Sequence, residues 1–358
     1  MSKRVAFITA SYAETKFTSG GVKLNYILIR ALIGKGYTVD VFAQKYKNCI
    51  HNDVNYYNFS EFEQKNEEHK YFKVLSDKAC YPSDLTYIHD HSYNFRVERM
   101  YSKVEFFFYK LFRRKKHKKR LKYDKYVSQN LDKTGKVIVS SEVLKQDFIK
   151  NFGVLPENIF VLPPCLETVK DNYKKLEFDN KQVVFGLSAV GFERKGGYLL
   201  LDTIKYLKRY AKNFKVRIIY PSNNAWVKFL VKFYGVEQYV EFLPSQSDMS
   251  AFYNSINFLL LPSLLEPFGM VVNEAMLNYC PAVVASHCGA SDLIDNEKNG
   301  FLFDFGKNPV KALADVMLKC MDVTSEEYSK LSINAYERVK VMSSEHFINT
   351  YLELMGNE

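Results

Sequence analysis

The chain has 358 residues, 47% of them hydrophobic and 25% charged, and its 50 Lys and Arg against 40 Asp and Glu give a net charge of +10. At roughly 100–200 residues per domain this length suggests two domains or one large barrel, and the composition excludes wholesale disorder. Six scattered cysteines, the closest pair (Cys280 and Cys288) eight apart, offer neither a disulfide framework nor C-x-x-C metal spacing, so a reducing compartment is expected. The short apolar run at the start and the lack of 18 consecutive uncharged apolar residues argue against a secretory signal and a spanning helix, so the protein is read as cytoplasmic.

Residues 5–10 (VAFITA) form a short run rich in strand formers, and the glycine pair Gly20-Gly21 follows. Leu24, Ile27, Leu28, Ala31 and Leu32 then recur at helical spacing, and a second strand-like run occupies 38–43. Strand, glycine turn, helix and strand make a βαβ unit, which requires a right-handed crossover and a doubly wound parallel sheet. The same order returns at 183–188, a helix near 198–212 and 216–220, and again at 258–261, a helix near 270–279 and 282–285. Two α/β halves are expected, dividing near the proline-bearing stretch 162–166, with the polar segment 168–181 as linker.

Residues 104–126 differ from everything around them. Ten Lys/Arg stand there against Glu105 and Asp124, so eight of the ten net positive charges lie in this segment. An aromatic block, 106–109 with Phe112, immediately precedes the cations. An apolar block joined to a polybasic one is the composition of a helix lying on an anionic bilayer, with Phe107, Phe108, Phe112, Arg113, Arg114, Lys115, Lys116, Lys118 and Lys119 as contacts. A solvated basic helix is the plainer alternative.

The sharpest chemical signal is 261–276, LPSLLEPFGMVVNEAM. Glu266 falls in a Pro/Gly turn after an apolar strand, and Glu274 lies one to two turns into the following helix. The N–H groups at a helix start donate to phosphate, and a carboxylate accepts two hydroxyl hydrogen bonds from a sugar diol. Together these describe a nucleotide-sugar site.

In that context the stretch resembles the retaining GT-B glycosyltransferases of family 4, the glycosyl transferases group 1, and the resemblance covers nearly the whole chain. It implies two Rossmann-like doubly wound parallel-sheet domains facing a cleft: an acceptor domain at 1–165, a donor domain at 166–340, and a last helix within 341–358 that returns to the first domain. That helix carries Phe347, Ile348, Tyr351, Leu352 and Met355 on one stripe; periodicity alone fits equally a plain terminal helix of the second domain. By match, Glu266 meets the transferred sugar, the amides of Phe268, Gly269, Met270 and Val271 meet the sugar and diphosphate, and Glu274 meets the ribose diol. Gly20 and Gly21 match the glycine loop near the donor phosphate. Arg194, Lys195 and Gly196 resemble the family's R-K-G element, whose cations neutralise the leaving diphosphate. Residues 140–142, 159–163, 248–253 and 299–303 match non-catalytic landmarks. Two departures stand out: Gly191-Phe192 replaces the usual Gly-Arg, and Pro163-Pro164-Cys165 replaces Pro-Asn-Gly.

In the family a histidine at a strand end meets the donor sugar, which makes His89 the first choice here and His91 the second. His-x-His could instead bind a metal, but no third ligand is near in sequence. No metal or other cofactor is expected, the NDP-sugar, UDP- or GDP-linked, being a co-substrate. Cys288 has no base placed for it as a nucleophile. The resemblance implies transfer of a hexose with retention to a glycan or lipid-linked glycan acceptor in bacterial surface polysaccharide synthesis, on the inner face of the membrane. Three alternatives compete with this reading. A dehydrogenase lacks G-x-G-x-x-G after residues 5–10. A nucleic-acid or other polyanion partner is suggested by the basic run, though the tyrosines are not gathered into a single-strand-binding motif. A non-catalytic relative would not need Glu266, Glu274 and the cations.

Overall fold

The computed structural model describes residues 3–14, 20–47, 49, 51–165, 178, 182–211, 213–220, 225–244 and 249–356. Of the expected linker only Phe178 is among them, and Asp248 lies outside. The chain divides into two compact units, Met1–Cys165 with Ser344–Glu358, and Leu166–Ser343.

The first unit is built on seven strands: β1 (Arg4–Thr9), β2 (Thr38–Ala43), β3 (Asn55–Asn58), β4 (Lys73–Asp77), β5 (Leu85–Ile88), β6 (Lys136–Val139) and β7 (Ile159–Val161). Their order is β3-β2-β1-β4-β5-β6-β7, and every pairing is parallel. A two-residue parallel ladder of Tyr12–Ala13 with Tyr46–Lys47 stands apart. Covered on both faces, β1 and β2 read as apolar runs, that of β2 broken only by Asp40, which Arg4 pairs (3.1 Å), and Val5, Phe7, Val39 and Val41 are fully buried. The helices are α1 (Gly20–Gly34), α2 (Phe62–His69), α3 (Tyr93–Met100), α4 (Lys103–Phe112), α5 (Arg114–Leu131) and α6 (Glu142–Phe152). Leu24, Leu28, Ile29 and Leu32 are the buried stripe of α1. Ser141 caps α6 by accepting from Leu144 N–H (3.2 Å), and Gly153 ends it in the left-handed conformation.

The second unit holds β8 (Val183–Ser188), α7 (Gly197–Leu207), β9 (Phe214–Ile219), α8 (Ala225–Tyr234), β10 (Val240–Leu243), α9 (Met249–Tyr253), β11 (Phe258–Leu261), α10 (Met270–Leu277), β12 (Ala282–Ala285), β13 (Gly300–Phe303), α11 (Pro309–Asp322) and α12 (Ser325–Lys340). Its strand order is β10-β9-β8-β11-β12-β13, again all parallel. Two expected helices end early for identifiable reasons. Beyond α7 the chain tightens, Tyr210 N–H returning to the Leu207 carbonyl (2.8 Å). After α10, Tyr279 takes φ 56° and Cys280 N–H folds back to Ala275 O (2.9 Å).

The last helix, α13 (Ser344–Met355), belongs to the first unit and buries Phe347, Tyr351 and Met355 in that unit's core. The rings of Tyr87 and Phe347 lie 6.0 Å apart, and Lys136 Nζ donates to Leu354 O (3.0 Å). In each sheet the order reverses once, between β1 and β4 and between β8 and β11. Ligands of doubly wound sheets bind beyond the strands' carboxyl ends at such a reversal.

Candidate active site

In the second unit, the loops that follow β8 and β11 leave its reversal point. Glycine is required where they touch: Gly196, at φ 75°, has no room for a side chain, since a Cβ there would lie 1.9 Å from Pro262 O. The loops are stitched by Leu264 N–H donating to Arg194 O (2.9 Å) and Arg194 Nη1 donating to Leu265 O (3.0 Å). Glu266 consequently meets both cations. Its Oε2 lies 3.3 Å from Arg194 Nη1 and is hydrogen-bonded by Lys195 Nζ. The Glu266 and Lys195 side chains are nearly buried, whereas Arg194 is 37% exposed. One carboxylate against two cations leaves a unit positive charge in a poorly solvated place, an environment suited to an anion.

Directly after this knot α10 begins. Gly269 at φ 100° caps it, and a Cβ there would lie 2.8 Å from Leu261 Cδ2. Met270 and Val271 are its first residues, so their N–H groups have no intrahelical acceptor. Phe268 is buried and fixes the turn. Glu274, one turn further, is half-buried, and its Oε2 accepts a hydrogen bond from Tyr253 OH (2.7 Å). Burial, with Glu274 alongside, pushes the Tyr253 phenol far above its ordinary pKa, so it stays a donor that aims the carboxylate. Tyr253, which in sequence reads only as part of a landmark, is therefore a partner of the site. Phe192 is a core residue, packed over Gly197 and against Tyr198 and Tyr220. It brings no charge where the family has arginine; Arg194 and Lys195 are the cations of this element.

In the first unit, β1, β4 and β5 end side by side. His89 follows β5, and its ring fills the space over Gly21 in the first turn of α1: a Cβ on Gly21 would lie 2.1 Å from His89 Nε2. Gly20 opens that helix. Asp77, at the end of β4, holds its Oδ1 3.4 Å from His89 Nδ1, a close approach whose angle is not that of a hydrogen bond. Its Oδ2 accepts from Thr9 Oγ1 (3.0 Å) and Asn25 Nδ2 (3.1 Å). Burial lowers the His89 pKa and outweighs the opposing pull of Asp77. The next two residues, Lys78 and Ala79, take φ 56° and 49°, a conformation non-glycine residues adopt at a cost, beside this cluster.

His91 is a correction. Its ring is wholly buried, bonded through Nδ1 to Asp147 Oδ2 (2.9 Å) and stacked on Phe95 at 4.0 Å. It fastens β5 to α6, while the His89 side chain is 18% exposed and is the histidine of the pair open to a ligand. The two histidines thus have separate acidic partners. Among the described residues no group of three or more His, Cys, Asp and Glu is placed to hold a metal ion. Cys288 is fully buried.

The basic segment forms α4 and α5. Ser102 and Glu105 make a capping box that starts α4. Its aromatic block does not all face outward, as its composition suggested. Phe106 turns to the His117 ring (5.6 Å) and Tyr109 to Tyr101 (5.0 Å), while Phe107, Phe108 and Phe112 are exposed together with Val104 and Leu111. Arg113, Arg114, Lys115, Lys116, Lys118 and Lys119 are exposed as well. Among the described residues no helix is long and apolar enough to cross a membrane.

The model of the family described as Glycosyl transferases group 1 matches residues 169–338. A probable sucrose-phosphate synthase of Thermosipho melanesiensis is 25% identical over 232 residues, which cover 59% of this chain and 50% of that protein. The capsular polysaccharide biosynthesis glycosyltransferase CapM of Staphylococcus aureus is 27% identical over 191 residues, covering 53% and 49%. The chain spans about half the length of the curated relatives it matches. Among solved structures, WaaG, a glycosyltransferase involved in lipopolysaccharide biosynthesis, superposes with a TM-score of 0.76 at 17% identity, over 99% of this chain and 100% of that one. Anabaena HepE in complex with UDP and glucose gives 0.62 at 17% identity, over 98% of each.

Proposed function

For a chain with the GT-B fold whose residues 169–338 match the model of the glycosyl transferases group 1, we propose a glycosyltransferase that moves a hexose from an NDP-sugar, with retention, to a glycan or lipid-linked glycan of a bacterial surface polysaccharide. The observation that carries this reading is the Arg194–Lys195–Glu266 knot beside the start of α10, at the reversal point of the second sheet. Cations and free helix amides favour a diphosphate there, and Glu274, aimed by Tyr253, suits a ribose diol. Glu266 is assigned the sugar hydroxyls. The sugar contacts of His89, and the approach of Gly20 and Gly21 to the phosphate, rest on the resemblance.

In the reaction charge builds on the β-phosphate as the glycosidic bond breaks. Arg194, Lys195 and the amides of Gly269, Met270 and Val271 stabilise it, and the leaving diphosphate takes the acceptor's proton as the hydroxyl attacks the same face. Losing one such donor costs on the order of 10²–10³ in turnover. No step calls for a metal. The exposed apolar face of α4, contiguous in sequence with the cations of α5, fits an anionic membrane surface and supports the reading that the enzyme works at the inner face of the membrane, beside a lipid-linked acceptor.

The test is a panel of UDP-, GDP- and ADP-hexoses read by thermal shift and by nucleotide release. A cognate donor at a hundred times its Kd adds ~2.7 kcal/mol of stability. Release should fall sharply in Lys195→Ala, and NMR of the product should show the donor's anomeric configuration. No shift and no release with any donor would overturn the proposal, and inversion would remove the retaining mechanism.

A further inference from the structure

Helix α8 of the second unit, AWVKFLVKFY, contains no acidic residue. Val227 and Val231 anchor it in that unit's core. Around the helix from them, Trp226, Phe229 and Phe233 are 55%, 51% and 70% exposed. Their spacing of three and four residues puts them on one face. Trp226 stacks on Phe229 at 5.4 Å and Phe229 on Phe233 at 5.6 Å, with interplanar angles of 21° and 16°, so the three rings form one continuous ridge. Lys228 and Lys232 are exposed along its flank. At the helix's end Lys205 Nζ sits 4.4 Å from the centre of the Tyr234 ring and Lys208 Nζ bonds the Tyr234 carbonyl.

An exposed aromatic cluster of this size marks a surface that meets something. Rings stacked on one another turn edges outward and keep few faces for nucleic-acid bases, which bind aromatic side chains face to face. Trp and Phe beside lysines, on a helix with no acid, instead match the boundary between acyl chains and anionic headgroups: the rings enter it, and the ammonium groups reach out along their stems to phosphate. We propose that α8 is a lipid-contacting helix of the second unit, seating Trp226, Phe229 and Phe233 at the headgroup–acyl boundary of an anionic bilayer with Lys228 and Lys232 on the headgroups. This surface is distinct from α4 and α5 in the first unit, and it does not depend on which sugar is transferred.

The chain supplies its own probe, because Trp226 is its single tryptophan. The full-length protein is mixed with vesicles of phosphatidylcholine alone, or of phosphatidylcholine with phosphatidylglycerol, and binding is read by flotation beside tryptophan emission. With the anionic vesicles the emission should move to shorter wavelength and be quenched by brominated acyl chains; with the neutral ones both effects should be much smaller. Phe229→Ser with Phe233→Ser, which keeps Trp226 and changes only exposed side chains, should lower partitioning about tenfold or more while leaving the melting temperature in place. In a second variant, with Phe107, Phe108 and Phe112 changed to Ser, the protein that still floats should keep the Trp226 shift. Protein that floats with unshifted, unquenched emission overturns the proposal, as does failure to bind anionic vesicles. An emission shift that grows with protein concentration in the absence of lipid assigns the ridge to a second copy of the chain and overturns it equally.

Discussion

Glu274 accepts the hydroxyl of Tyr253, a side chain only 1% exposed, and this decides how its role is tested. Glu274→Ala removes a charged acceptor from the proposed ribose contact but also orphans a buried phenol, a loss of about 1–3 kcal/mol that lowers the melting temperature. Glu274→Gln keeps an oxygen for Tyr253 and loses only the charge. We therefore expect Gln to weaken UDP or GDP binding by about tenfold or more with little change in melting, and Ala to lose both; calorimetry and a thermal melt separate the two, and unchanged affinity in both would take Glu274 out of the site. His89 offers a different handle. Burial holds its imidazole below the ordinary pKa, so between that lowered value and about 6.5 the unfolded chain binds the proton that the folded chain refuses. Stability therefore rises with pH through this window and is lost as pH falls below about 6.5. Urea midpoints taken between about pH 5.5 and pH 7.5 should fall more steeply on acidification for the wild type than for His89→Gln. Parallel curves would mean that His89 titrates alike in both states.

Among the elements, α13 joins a unit whose sheet ends at Val161, and its core contact is made by Phe347, Tyr351 and Met355. Phe347, 2% exposed, packs against Tyr87 on β5, and truncating it leaves a cavity that neighbouring β-strands cannot close. Phe347→Ala should cost about 3–5 kcal/mol in urea unfolding, and removing the helix should expose Tyr87 and destabilise the first unit; a cost below about 1 kcal/mol would place α13 as a loosely held appendage. The stripe of this helix is plain in the sequence, but what it covers is not, because periodicity records that a face is buried and not by what. The same limit applies to α4, whose aromatic run shows no sign of which rings turn inward until Tyr101 and His117 supply partners. The strands are the easiest to read, since burial on both faces forces apolar runs in β1, β8 and β11, and in β2 a run broken only by Asp40. The glutamates and cations of the second unit are equally plain, being contiguous in two short loops. Asp77, Asn25 and Thr9 are not: they are 52 and 68 residues apart and meet only once β1 and β4 pair with Ile8 against Ser76.

On the scale of the whole molecule, charge is the property that composition hides, since +10 spread over 358 residues is unremarkable, whereas 104–126 alone holds eight of those charges. The α4–α5 segment concentrates them next to Phe107, Phe108 and Phe112, the last 75% exposed. Each cation near an anionic surface contributes about 1 kcal/mol, so the six from Arg113 to Lys119 suffice for reversible attachment before any ring is inserted. Attachment of this kind must weaken with salt, because the Debye length shrinks from ~10 Å at 0.1 M to ~3 Å at 1 M, whereas insertion of aromatic rings is not screened. The full-length protein should therefore float with anionic vesicles at low salt and lose much of that binding at high salt. Changing Arg113, Arg114, Lys115, Lys116, Lys118 and Lys119 to Ser should remove most of the salt-sensitive part and leave what the apolar residues and the remaining lysines contribute. Since these side chains are exposed, the variant should melt as the wild type does and release nucleotide from a soluble donor at the wild-type rate. If it floats as well as the wild type at low salt, or if neither binds anionic vesicles, the basic helix is a solvated face or a site for a soluble polyanion, and attachment through the first unit is excluded.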